Sequence, residues 1–138
     1  MIGILIVAHG GLAREYLSAM EHIVGPNPGI ITIGVLPTDD IQQREKQITD
    51  TVIKLDEGNG VIVVTDIHGS TPANLALKAC KNQKVKIIFG ANLPLLLKLV
   101  KVRKLSFELA VSLALDSGRK YIDVSDSCGS KDSSVKYD

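Results

Sequence analysis

His9 is the first residue of this chain whose type and position favour chemistry. It directly follows an unbroken apolar run, Ile2 to Ala8, and it precedes Gly10 and Gly11. A neutral imidazole is a nucleophile near pH 7, with an unperturbed pKa of about 6.5, and the two glycines leave room around it for a reactant. We therefore expect His9 to be chemically active rather than a polar residue that merely ends a strand.

Asp66 is the predicted partner of His9. It follows a second apolar run, Val61 to Val64, with Thr65 between them. A carboxylate that accepts a proton from one ring nitrogen fixes the tautomer and leaves the opposite nitrogen free to attack. The pair alone leaves both acyl transfer and metal-free phosphoryl transfer open.

A loop of small residues from Gly69 to Asn74 leads into a predicted helix. The free N–H groups of a helix start, the positive end of its dipole and nearby hydroxyls together favour an anion, although Thr71 before Pro72 is also an ordinary helix start. His68, in the same loop, is expected at the surface or on the rim of a pocket. The residues predicted to bind phosphate are Gly10, Ser70, Thr71, Ala73 and Asn74.

Other basic residues are expected to be structural or solvated. His22 falls near the C-terminal end of a predicted helix, where an imidazolium is mildly favourable. A basic stretch later in the chain predicts a solvated helix face, with docking of an acidic partner as the alternative. It consists of Lys98, Lys101, Arg103 and Lys104.

Alternating strands and helices must position these groups. Unbroken apolar runs predict strands covered on both faces, and the helical spacings between them predict a doubly wound, flavodoxin-like α/β fold with a mostly parallel sheet and helices on both faces. In that strand order the first and third strands are neighbours, so His9 and Asp66 should face one crevice. Thr38 or Asp39 is the expected cap of the second helix, and Ser117-Gly118 the expected end of the last.

Length and composition limit the function classes. We expect one domain over residues 1–125 and a polar, mobile tail over 126–138, because 138 residues support one core and the tail is poor in apolar residues. A formal charge of +1 gives no general attraction for nucleic acid, and no apolar run is long enough for a membrane span. With no signal peptide, a cytoplasmic protein is expected, and the two distant cysteines predict neither a metal site nor a disulfide framework.

Four motifs in register resemble the enzyme IIA component of the mannose family of the bacterial sugar phosphotransferase system. They are Ala8-His9-Gly10, Thr65 to Asn74, Gly90-Ala91-Asn92-Leu93-Pro94, and Leu113 to Arg119. The resemblance implies a cytoplasmic phosphoryl carrier in which His9 takes the phosphoryl group, Asp66 orients it and Thr71 lies by the phosphate. It also implies a homodimer completed by an exchanged antiparallel strand, here Tyr121 to Val124, and no metal, nucleotide or other cofactor.

The implied partners are the histidine-containing phosphocarrier protein as donor and a IIB domain as acceptor, with peripheral contact to a membrane IIC/IID complex through IIB. Relatives often carry Gly-Gly at Gly69-Ser70 and an aromatic residue near His68, which affects partner recognition. The alternatives are the phosphotransfer subunit of a dihydroxyacetone kinase and, lower, a receiver module phosphorylated on Asp66. A receiver needs acidic Mg²⁺ ligands after the first strand, where this chain has Ala8 to Gly11. A hydrolase triad lacks the Gly-x-Ser-x-Gly elbow.

Overall fold

A computed structural model describes residues 1–127 of the chain. Four strands come first in alternation with helices, and a pair of helices closes the described part. The strands are β1 (Gly3–His9), β2 (Ile30–Val35), β3 (Val61–Thr65) and β4 (Val85–Ile88). The helices are α1 (Leu12–Val24), α2 (Ile41–Leu55), α3 (Thr71–Ala79), α4 (Leu93–Val102) and α5 (Phe107–Lys120).

The strands form one parallel sheet in the order β2-β1-β3-β4. This is the flavodoxin-like arrangement that the sequence predicts, with β1 and β3 side by side at the point where the strand order reverses. Val7 of β1 lies opposite Thr65 of β3, and His9 lies opposite Val35 of β2. Both predicted site residues therefore stand at the carboxyl edge of neighbouring strands.

The two sheet faces bury separate apolar cores, as the uninterrupted runs in β1 and β3 predict. Helices α1, α4 and α5 cover one face, where Ile4, Ile6 and Ile62 are fully buried. Helices α2 and α3 cover the other, against Leu5, Val7 and Val63. Alternate side chains of one strand thus serve opposite cores, which fixes the strand register strongly.

The predicted cap of α2 is wrong by one or two residues. Asp40, rather than Thr38 or Asp39, occupies the N-cap position, and its side chain accepts from the N–H groups of Gln42 and Gln43. Asp39 is engaged in the preceding loop, where its carboxylate accepts from the Leu36 N–H and pairs with Arg44 at 2.9 Å. Asp39 therefore stabilises the loop, and Asp40 caps the helix. The sequence alone could not show which of the two adjacent aspartates takes which role.

The predicted end of the last helix is also wrong, because α5 continues through Ser117 and Gly118 to Lys120. Gly118 permits close packing of α5 on α4 instead of ending the helix. A Cβ at this position would meet the Leu95 side chain at 3.1 Å. The Gly118 carbonyl also accepts from the Asn92 side chain at 2.8 Å, which joins the two helices.

The basic stretch is not uniformly solvated, because Arg103 is buried with 4% of its surface exposed. Its guanidinium donates to the backbone carbonyls of Ile2, Pro28 and Gly29, so it ties the starts of β1 and β2 to the end of α4. Burial lowers the pKa of Arg103, although the charge of Glu57 opposes the shift. The Gly29 carbonyl also accepts from the Ile4 N–H, so within the described residues it is the Ile2 and Pro28 carbonyls for which the guanidinium is the donor.

The segment after α5 forms a turn at Tyr121 and no strand within residues 1–127. Ile122 and Val124 are 74% and 84% exposed. The exchanged strand predicted here needs a second chain, so it stays a prediction. The tail predicted over residues 126–138 lies outside the described residues from position 128 onward. Within the described part, no helix is long and apolar enough to span a membrane.

Candidate functional site

His9 leaves the sheet at the end of β1 through a left-handed glycine. Gly10 has a φ of 55°, and its N–H donates to the Val35 carbonyl at 2.9 Å, which pins the exit to β2. The pinned loop passes so close to Gly34 that a Cβ there would lie 2.2 Å from the Gly10 carbonyl oxygen. Gly34 is thus a site residue that sequence reasoning missed. The exit leaves half of the His9 side chain, 51%, exposed to solvent.

Asp66 holds His9 with a single oxygen. Its Oδ2 accepts from the His9 backbone N–H at 2.9 Å and lies 2.7 Å from His9 Nδ1. The other oxygen, Oδ1, accepts from the Ile67 N–H at 3.0 Å. Only 7% of the Asp66 side chain is exposed, so the contact is shielded from water on the carboxylate side. The structure thus brings together the two residues that the sequence predicts to pair.

The charge of Asp66 is stabilised by these bonds. Burial raises the pKa of the carboxyl group, but the hydrogen bonds from the His9 backbone and ring, the His9 charge and the local backbone N–H outweigh it, so the pKa is lowered overall. An ionised carboxylate only accepts, so Nδ1 must carry the hydrogen in this contact. When the ring is neutral, the lone pair of Nε2 is then free for a reactant, as a nucleophile requires.

Tyr16 supports the site from α1 and was overlooked at the sequence level. Its hydroxyl donates to the Ala91 carbonyl at 3.1 Å. Burial raises the pKa of the Tyr16 hydroxyl, and the negative charge of Asp66 raises it further, which places Tyr16 within electrostatic reach of the carboxylate. The sequence signal that could have identified Tyr16 is the presence of a tyrosine at one of the inward-facing positions of the helix that follows His9.

The loop after Asp66 presents the start of α3 without a side-chain cap. Ser70 occupies the N-cap position, but its hydroxyl donates to the Ile67 carbonyl at 2.6 Å instead of to the helix. The Asn74 N–H is bonded to the Ser70 carbonyl at 2.9 Å. Among residues 1–127, the backbone N–H groups of Thr71 and Ala73 have no hydrogen-bond partner. They are the first-turn donors that remain for an anion.

The remaining predicted residues fall outside this centre. His68 is exposed, as expected, and its ring stacks on Phe89 with centroids 4.2 Å apart. His22 lies in the last turn of α1 and is exposed. The Gly10 N–H already donates to the Val35 carbonyl, so the contribution of Gly10 to the site is the space that it leaves beside His9. In the described part of the chain, no group of three or more His, Cys, Asp or Glu residues could hold a metal ion.

Comparison with known proteins gives a consistent set of similarities. The model of the EIIA-man family, described as "PTS system fructose IIA component", matches residues 3–113. The mannose-specific EIIAB component of Escherichia coli K12 is 28% identical over 122 residues, which are 86% of this chain and 38% of that protein. The chain thus spans well under half the length of this relative.

Solved structures agree with the fold. A crystal structure of an EIIA component from Streptococcus agalactiae superposes with a TM-score of 0.82 at 26% identity, over 90% of this chain and 97% of the other. A IIA protein associated with the fucose utilization operon of Streptococcus pneumoniae gives a TM-score of 0.73 at 35% identity, over 83% and 89% of the two chains. The similarity therefore includes most of each of these two chains.

Proposed function

Because this chain belongs to the EIIA-man family of the sugar phosphotransferase system, we propose that His9 is the residue on which it carries a phosphoryl group. Membership of this family supports a phosphoryl-carrier role for the chain, as a component of a phosphotransferase system. The observation that carries the proposal is the 2.7 Å contact between His9 Nδ1 and Asp66 Oδ2, which leaves Nε2 as the free nitrogen. The site is proposed to act in the cytoplasm.

In the proposed reaction, Nε2 of His9 attacks the phosphorus of a donor phosphohistidine. The new N–P bond forms as the donor's N–P bond breaks, and the electron pair of that bond returns to the donor imidazole. The phosphorylated ring of His9 keeps its Nδ1 proton and gains positive charge, which the Asp66 carboxylate offsets across the short contact. The carboxylate is preorganised because the His9 backbone N–H holds the same oxygen.

The phosphoryl oxygens are proposed to meet the start of α3. The free amides of Thr71 and Ala73 and the exposed Thr71 hydroxyl are the donors that support this part of the proposal. The Asn74 amide and the Ser70 hydroxyl are already bonded within the loop, so their contribution would be to its shape or through the Asn74 side chain. Charge on the transferring group would then be stabilised without a metal.

The proposed donor is the histidine-containing phosphocarrier protein, and the proposed acceptor is a IIB domain or protein. The E. coli relative is named as an EIIAB component, of which this chain spans 38%, so the acceptor is proposed on a separate domain or chain. The family and the relatives are named after fructose, mannose and fucose, so these names do not identify one sugar for this chain. Transport and a regulatory relay are two uses of the same chemistry. In transport, we propose peripheral contact with a membrane IIC/IID complex through IIB.

We also propose a homodimer built on the segment after α5. β4 is an edge strand in the described sheet, and the exposed apolar residues Ile122 and Val124 alternate as a strand requires. Exchange of this segment would cover both features. Size-exclusion chromatography with light scattering would test it, and a monomer at micromolar concentration would contradict the proposal.

The experiment that tests phosphoryl carriage is incubation with phosphoenolpyruvate, enzyme I and the phosphocarrier protein. We expect one acid-labile phosphoryl group per chain, lost in His9→Ala and kept in His22→Ala, a matched control on an exposed histidine. Phosphorus NMR of the product should place the group on Nε2. A wild-type chain that stays unmodified, or a label that persists in His9→Ala, would refute the proposal.

A further inference from the structure

The connection between Asp66 and α3 is a four-residue turn, Ile67 to Ser70, that is held at three points. Gly69 has a φ of 80°, which suits the third residue of a type II turn, and the Ser70 N–H lies 3.4 Å from the Ile67 carbonyl oxygen. The Ser70 hydroxyl donates to the same oxygen at 2.6 Å. The third point is the His68 ring, which stacks on Phe89 with the ring planes inclined by 28°.

The stack ties the turn to the side of the sheet away from His9. Phe89 directly follows β4, which pairs with β3 on the edge opposite β1. One residue before the turn, Asp66 is tied to His9 at the end of β1. The turn is therefore anchored on both sides of β3, and its far end is the uncapped start of α3.

The face of the His68 ring makes this contact, whereas its edge does not. Neither ring nitrogen has a hydrogen-bond partner among residues 1–127, and the side chain is otherwise exposed. The structure thus uses His68 as an aromatic surface on Phe89. A histidine used for its ring face can be replaced by another aromatic residue, and one used for its nitrogens cannot.

We infer that His68 is a positioning residue for phosphoryl transfer, an inference that rests on the proposed function of His9. Its stack on Phe89 holds the turn so that the Thr71 and Ala73 amides stay at the carboxyl edge of the sheet. An exposed aromatic pair of this kind changes the equilibrium constant between the held and the released turn by about two- to tenfold, and the population of the held turn falls by at most that factor when the pair is removed. The maximal rate of transfer, rather than the affinity for the donor protein, should follow that population.

The test is single-turnover transfer from the phosphorylated phosphocarrier protein over a range of donor concentrations. His68→Ala should lower the maximal rate measurably, by up to about tenfold, with an unchanged half-saturating concentration, since the turn and not docking is affected. His68→Phe should retain the wild-type rate. His22→Ala, which removes an exposed histidine without a ring contact, should match wild type. A wild-type rate in His68→Ala, or an equal loss in His68→Phe, would overturn the inference.

A double-mutant cycle separates the stack from general damage to the fold. Phe89→Ala should slow transfer as His68→Ala does, and the double variant should be no slower than the slower single variant, because both remove one contact. Full additivity of the two losses, with thermal midpoints that stay within a few degrees of wild type, would contradict the stack.

An assay that needs no phosphoryl transfer distinguishes this inference from the proposal on which it rests. Backbone ¹⁵N relaxation should show lower order parameters for the Gly69, Ser70 and Thr71 amides in His68→Ala than in wild type or His68→Phe. If His9 takes no phosphoryl group but these amides loosen, the proposed function is wrong and the stack still holds the turn. If the amides keep their order in His68→Ala, the inference itself is refuted.

Discussion

Replacing Asp66 with asparagine tests the electrostatic half of the site with almost no change in shape. The carboxylate accepts two hydrogen bonds from His9 on one oxygen, and the bond to Nδ1 is the one that strengthens when the ring becomes positively charged. A bond to an ionised acceptor contributes about 1.5–3 kcal/mol against about 0.5–1.5 kcal/mol for a neutral one, so the exchange loses about 1–1.5 kcal/mol. This difference already contains the direct attraction between the carboxylate and the charged ring, which solvent weakens because the His9 side chain is half exposed.

The expected result is a phosphorylation rate lowered about 5- to 15-fold, since each 1.36 kcal/mol is a factor of ten. An asparagine that turned its NH₂ toward Nδ1 would reverse the tautomer and lower the rate further. The assay is rapid-quench phosphorylation of His9 by the phosphorylated carrier protein. Asp50→Asn is the matched control, because Asp50 makes only an exposed ion pair with Lys46 on α2. A change of less than about threefold in a folded Asp66→Asn chain would refute the electrostatic reasoning.

Three further predictions concern the framework. Gly34→Ala places a Cβ 2.2 Å from the Gly10 carbonyl, so we expect about 1–3 kcal/mol of destabilisation and slower labelling of His9; wild-type unfolding and labelling would contradict it. Arg103→Ala removes the donor of the Ile2 and Pro28 carbonyls and one of the two donors of the Gly29 carbonyl, and it should cost about 3–5 kcal/mol in urea unfolding, so a loss below about 1 kcal/mol would show that water replaces the guanidinium. The Arg44 hydrogen bond, the Leu36 N–H and the Arg44 charge lower the pKa of Asp39 against burial, so its stabilisation is present above the ordinary value of 3.8 and is lost as pH falls below it. Thermal midpoints of Asp39→Asn should therefore lie below wild type at pH 7 and converge on it in acid, and a constant difference at all pH values would contradict the assignment.

The sequence predicts the sheet and the His9–Asp66 contact because both depend on patterns that are local in the chain. A strand buried on both faces must be apolar throughout, so β1 and β3 are visible as runs, and the polar residue that follows each run must lie at the carboxyl edge. Asp40 and Asp39 show the limit of this reasoning. Two adjacent carboxylates are equivalent by composition, and only the path of the loop decides which one caps α2.

Residues whose role depends on a contact with a residue distant in sequence could not be predicted in this way. Gly34 is needed because the Gly10 carbonyl passes over it, and that approach exists only once β1 and β2 are paired. A glycine at position 118 is typical of the end of a helix, but Gly118 instead leaves room for the Leu95 side chain of another helix. Arg103 has the charge of a solvated residue, yet the carbonyls it binds belong to segments at the start of the chain. In each case the deciding contact is long-range, and single-sequence patterns report only local burial.

The register between β1 and β3 is what turns two distant residues into one site. Val7 lies opposite Thr65, so His9 and Asp66 stand two residues and one residue beyond the same rung of the ladder. A slip of one residue would carry every side chain of β1 to the opposite face, exchanging Leu5 and Val7 with Ile4 and Ile6 between two packed cores. Because both cores resist that exchange, the position of His9 against the Asp66 carboxylate is set by apolar packing along β1. His9 therefore needs no loop rearrangement to meet the Asp66 carboxylate, and the loop after Asp66 determines how the start of α3 is placed beside them.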